Sequence, residues 1–136
     1  MHTRVKICCI SSLNEAALAV KYGASALGLV GHMPSGPGVI TDDLIYTIAR
    51  SVPPAVSTFL LTSETKAEDI ISHYKKVHTA AIQIVDALSE GSYAFIKQEL
   101  PAVKLVQVIM FIFIMMQVQH HLQAQLSPTT AITFQI

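Results

Sequence analysis

Short apolar runs alternate with amphipathic stretches along most of this chain, and the alternation is its clearest structural signal. Five runs read as β-strands, at 4–10, 26–30, 56–61, 80–85 and 103–109. They are nearly continuous in hydrophobic residues, the pattern expected where both faces of a parallel sheet are covered. Between them lie segments that open with helix-capping residues. Ser12-Leu13-Asn14-Glu15 and Thr65-Lys66-Ala67-Glu68 both have capping-box spacing, in which hydroxyl and carboxylate satisfy orphan amides reciprocally. Thr41-Asp42-Asp43 supplies a cap and two acids where the helix dipole favours them. Gly23 is placed to stop the first helix in a left-handed conformation. Residues 92–100 read as a fourth helix, ended by Pro101.

Four βα units and a fifth strand result, so the expected class is α/β with a parallel sheet and right-handed crossovers. The pattern leaves open whether the sheet stays flat or curls into a barrel. At Leu105 the character changes: no Asp, Glu, Lys or Arg occurs from there to Ile136, while Gln recurs. The run LVQVIMFIFIMMQV is too short to span a bilayer. Two readings follow, a buried strand continuing into an irregular tail, or a tail foreign to the pattern before it. The second is preferred, because an uncharged surface segment of this length is unusual in a soluble domain. Residues 1–109 are therefore expected to form part of one domain, with 110–136 a divergent tail.

At 136 residues the chain is long enough for one domain with a core and too short for two. Nine acidic residues balance nine basic ones, which argues against a nucleic-acid surface or a polybasic membrane patch. No nucleic-acid or membrane partner is expected. The N-terminus lacks the long apolar core of a signal peptide, and two adjacent cysteines make no disulfide framework. The expectation is a cytoplasmic globular protein.

The chemistry centres on Val5-Lys6-Ile7-Cys8-Cys9-Ile10. On an extended strand Val5, Ile7 and Cys9 share one face, and Arg4, Lys6 and Cys8 the other. The apolar set should face the helices, which turns Lys6 and Cys8 the opposite way, with Cys8 nearer the strand's carboxyl end. A cation on the same face favours a thiolate. Equally weighted on pattern alone is an inert core thiol, with the lysine leaving from the bottom of the strand. Asp86, at the end of the fourth strand, offers a carboxyl at the same end, although a loop or capping aspartate is the commoner outcome. The six histidines lack ligand spacing and are expected to be solvent-exposed, with no metal and no cofactor. GHMPSGPG lacks the spacing of a phosphate cradle and reads as a βα loop. The methionine-rich run at 110–116 reads as core filling or a sticky edge.

RVKICCISSLNEAALAVKYGASALGLV resembles the opening of the phosphoribosylanthranilate isomerase family, through Val5, Lys6, Ile7, Cys8, Ile10, Gly23, Ala24, Ala26 and Gly28. The similarity continues more faintly through IARSVPPAVSTFLL and AAIQIVDA to about Ile109. The resemblance implies part of a (β/α)8 TIM barrel and an Amadori rearrangement in tryptophan biosynthesis. An acid opens the ribose ring, and a cysteine then takes the C2′ proton. Cys8 matches that general base, and Lys6 is the cation beside it.

The departures are equally specific. Cys9 replaces the family's glycine, Pro37 stands where the arginine for the substrate carboxylate would be, and Val85 replaces a histidine. Asp86 is the last aspartate in the chain, so the sixth-strand acid has only Asp86 as a substitute. The glycine-rich phosphate loops have no counterpart. A sugar-phosphate substrate is thus expected only for a complete relative, and this chain reads as a portion truncated or frameshifted after about residue 109. The alternative is a non-catalytic half-barrel that self-associates or binds a partner through uncovered strand edges.

Overall fold

A computed structural model describes residues 3–109. The expected division at residue 110 and the methionine-rich run both lie outside them. Five strands alternate with four helices: β1 (Lys6–Ile7), α1 (Leu13–Lys21), β2 (Ala26–Val30), α2 (Asp42–Ser51), β3 (Ser57–Thr62), α3 (Ala67–Val77), β4 (Ala81–Ile84), α4 (Tyr93–Glu99) and β5 (Lys104–Gln107). All neighbouring strands pair in parallel, in the order β1-β2-β3-β4-β5. This is the winding of a partial (β/α)8 barrel.

Strand parity decides where the core sits. Leu27, Leu29 and Leu60 pack with Ala16 and Ala19 of α1, Ile45 and Ile48 of α2 and Val77 of α3. Ile82 and Ile84 pack with Ile70 and Ile71 of α3 and Ile96 of α4. The helices therefore cover one face, and the intervening positions Ala26, Gly28, Phe59, Leu61, Ala81 and Gln83 form the other, inner face.

The caps explain the helix bounds. Ser12, Thr41 and Ser92 each accept a hydrogen bond from the amide three residues on. Glu15 completes its box one residue early, accepting from the amide and hydroxyl of Ser11 at 2.7 and 2.8 Å. After α1, Gly23 at φ +90° donates to Val20 O and Ala24 donates to Ala19 O, the paired closure of a Schellman end. The capping box expected at Thr65 does not form. α3 starts at Ala67 after Lys66, whose side chain makes no cap, and the Ala67 amide instead donates to Glu90 O. A parallel bridge between Lys66 and Glu90, with their 3.0 Å ion pair, replaces the hydroxyl cap.

The first strand also differs from its expected span of 4–10. Cys9 adopts φ +62°, a left-handed conformation that ends the alternation. Strict alternation would put Ile10 beside Cys8; instead Ile10 is buried on the helix side, with its amide donating to Gly28 O. No helix among the described residues is long and apolar enough to cross a membrane.

Candidate active site

Lys6 pairs with Ala26 across β1 and β2, so both face inward, and Cys8 follows at the level of Gly28. The thiol lies over that glycine: a Cβ built on Gly28 would stand 2.8 Å from Cys8 Sγ and 3.1 Å from its Cα. Leu61 closes on the same point at 3.2 Å. A residue without a side chain is needed here, and it leaves the sulfur exposed at the carboxyl end of the sheet.

Lys6 does not leave from the bottom of the strand. Its ammonium sits 4.8 Å from the centroid of the Phe59 ring and donates a hydrogen bond to Gln83 Oε1. The register shows how far it travels. Phe59 pairs with Gly28, and Gln83 pairs with Leu61, which pairs with Val30. The lysine thus starts level with Ala26 and ends level with Val30, past the level of Cys8. Lys6 and Cys8 share the inner face as expected, but the lysine's hydrogen bond goes to Gln83.

Cys9 turns out of the strand toward the β2–α2 loop, where its thiol meets Pro37 O at 3.6 Å. Gly38, at φ +79°, packs so closely that a Cβ there would stand 2.6 Å from Cys9 Cβ. The loop holding Pro37 is thereby fastened to the end of β1. Asp86 lies two residues beyond β4, exposed, with its carbonyl accepting from Gln107 Nε2 at 3.3 Å. The structure does not bring its side chain to Cys8 through any hydrogen bond or ion pair described.

The histidines divide. His32 and His78 are exposed as expected, whereas His73 is buried, a correction to the solvent-exposed expectation. Its Nε2 meets Asp42 Oδ1 at 3.0 Å and its Nδ1 meets Thr62 Oγ1 at 3.2 Å, tying the start of α2 and the end of β3 to α3. Gly31 makes room for the ring, since a Cβ there would stand 2.4 Å from His73 Cε1. This is a structural tie: Thr62 has no exposed surface from which to meet a ligand. His120 and His121 lie outside the described residues. Among those residues no group of three or more His, Cys, Asp or Glu side chains could hold a metal ion.

Gln83, Phe59 and Gly28 were not singled out from the sequence for the site. The signal was available for Gln83, the one polar residue in the β4 run, at the parity that faces inward.

No protein-family model matches the chain. Among curated relatives, the N-(5'-phosphoribosyl)anthranilate isomerase of Methanocella arvoryzae is 26% identical over 107 residues, covering 79% of this chain and 50% of the relative. That of Haloarcula marismortui is 31% identical over 88 residues, covering 64% of this chain and 41% of the relative. The solved phosphoribosylanthranilate isomerase of Thermotoga maritima superposes with a TM-score of 0.63 at 23% identity, over 78% of this chain and 50% of that one. A second solved isomerase, in complex with reduced 1-(o-carboxyphenylamino)-1-deoxyribulose 5-phosphate, matches with the same TM-score. The structural likeness establishes the partial-barrel fold. The curated relatives it resembles, about half of whose length it spans, are likewise phosphoribosylanthranilate isomerases.

Proposed function

We propose that this chain carries the base side of the Amadori rearrangement of N-(5-phosphoribosyl)anthranilate, a step of tryptophan biosynthesis, and does not complete that reaction by itself. The observation that carries this reading is the exposed thiol of Cys8 on the inner face, at the carboxyl end of β1. Barrel enzymes place their chemistry at that end. A thiolate there suits removal of the C2′ proton once the ring is open.

Ring opening needs an acid, and Asp86 is the substitute this chain offers. Its exposed position beyond β4 makes it a poor replacement for a carboxyl aimed at the ring oxygen. Losing a positioned acid typically removes about 10²–10⁴-fold of rate. Pro37 in the arginine's place and the missing phosphate loops remove binding energy that would orient the sugar. The setting proposed is the cytoplasm, where thiols stay reduced.

Complementation of cells lacking the isomerase tests this reading. The 136-residue chain should not restore growth. A fusion of residues 1–109 to the remaining half of a family barrel should restore it, and should fail again with Cys8→Ser. Growth on the chain alone would overturn the inactive-portion reading.

A second reading, a self-associating half-barrel, is favoured by Val5 and Ile7, which stand 48% and 38% exposed beside β1, an edge strand among the described residues. A sedimentation profile that is monomeric at all concentrations would remove it.

A further inference from the structure

The inner face contains a lysine whose course across the sheet is more elaborate than burial of its stem requires. Lys6 could turn toward solvent at the amino-terminal end of β1, an edge left open among the described residues. Instead its ammonium crosses toward the fourth strand, lies over Phe59 and is held by Gln83, level with Val30 and beyond Cys8. A hydrogen bond to an amide oxygen leaves the cation's charge intact, whereas a carboxylate would cancel it. The aromatic face adds attraction without neutralisation. The ammonium thus keeps its full charge at the carboxyl-terminal side of the thiol. Lys6 is only half-buried, so its side chain keeps contact with solvent.

We propose that Lys6 is an anion receptor for the ligand that meets Cys8, and that Gln83 is the positioning residue that aims it. The group recognised is a carboxylate or a phosphate. The inference rests on the reading that ligand binds over Cys8, and it goes beyond that reading by giving Lys6 a role in binding that ligand. In a chain with Pro37 in the arginine's place, such a receptor supplies a cation that the β2–α2 loop lacks at that position.

Alkylation of Cys8 by two reagents separates these roles. Iodoacetate is itself a carboxylate; iodoacetamide is neutral and of nearly the same size. Each displaces iodide from the same thiolate, forming one S–C bond, so the ratio of their rates cancels the thiol's own nucleophilicity. Rates are followed on the full chain at low salt, with modification at Cys8 and Cys9 separated by fragmentation mass spectrometry. The ratio at Cys8 should fall about fivefold in Lys6→Met. It should fall nearly as far in Gln83→Met, which keeps the lysine but loses its aim. Gln83→Glu keeps the tether while cancelling the charge, and should lower the ratio at least as much. All three variants should keep the unfolding midpoint of the parent within a few degrees; Gln83→Asn replaces any that does not.

A ratio unchanged in Lys6→Met overturns the receptor. A drop in Lys6→Met without one in Gln83→Met overturns the positioning role of Gln83. Failure of Cys8 to react with either reagent would instead sink the reading that ligand meets this thiol. Anthranilate and inorganic phosphate, each added as a protectant against iodoacetamide, distinguish the two anions. Protection by one of them, lost in Lys6→Met, identifies the group received; protection by neither overturns the proposal for both.

Discussion

The two faces of the sheet obey different rules. On the helix-covered face Leu27, Leu29, Leu60, Ile82 and Ile84 are completely buried, each by the helices its strand connects to. On the inner face small and polar residues intervene, and specific pairings decide the arrangement: a thiol over Gly28, an ammonium over Phe59 and against Gln83. The first face is built by area removed from water, which many apolar sequences could supply. The second is built by geometry: one methyl added at Gly28 would meet Cys8 Sγ at 2.8 Å.

The largest effect that could break this contrast is a cavity on the covered face. Ile84→Ala should cost about 2–5 kcal/mol in urea unfolding, because the side chain is enclosed by α3 and α4. A loss below about 1 kcal/mol would mean that the packing there is loose. His73→Phe comes next, keeping the ring volume but removing the imidazole's bonds to Thr62 and Asp42, which retain only Glu64 N and Lys76. A loss of about 1–3 kcal/mol is expected, and an unchanged midpoint would show that the tie between α2 and α3 contributes little.

Gly28→Ala is the sharpest probe of the inner face. The new Cβ would strike Cys8 Sγ at 2.8 Å, with backbone 3.1 Å away, so strand and sulfur must both shift. About 1–3 kcal/mol of stability should go, together with a change of severalfold in the alkylation rate of Cys8. An altered stability with an unaltered thiol would refute the placement of Cys8 over this residue.

Glu15 gives the smallest effect, and acid removes it. Hydrogen bonds from the Ser11 amide and hydroxyl hold its carboxyl below the ordinary 4.5. The folded chain thus favours the ionised form, and the resulting stability is complete above pH 4.5 and lost as the pH falls through the lowered value. The gap between the parent and Glu15→Gln should be widest near neutrality and narrow below pH 4.5; a gap that widens in acid would contradict this cap.

How much could be read beforehand follows the same division. β2, β3 and β4, the four helices and their order were visible in hydrophobic runs and cap residues, since burial and capping leave local marks. β1 was overextended because nothing local announces that Cys9 takes φ +62°; a glycine there would have signalled it. The Thr65 cap misled because its competitor, Glu90, is remote in sequence. His73 sits three residues after Ile70 and four before Val77, on the buried stripe of α3, and that spacing could have placed it inside. The shared face of Lys6 and Cys8 was legible from strand parity. The destination of the lysine was not, because it depends on a partner 77 residues away.

The shortness of β1 has a temporal consequence. β1 is two residues long and among the described residues borders β2 alone, whereas β3 lies between two partners over half of its length. Amide protons of β1 should exchange with solvent through brief local openings, long before those of β3, which wait for cooperative loss of the core. Cys8 rides on this early-opening edge. A reagent that meets this exposed thiol should therefore find a position renewed by local fraying many times within the life of one folded molecule.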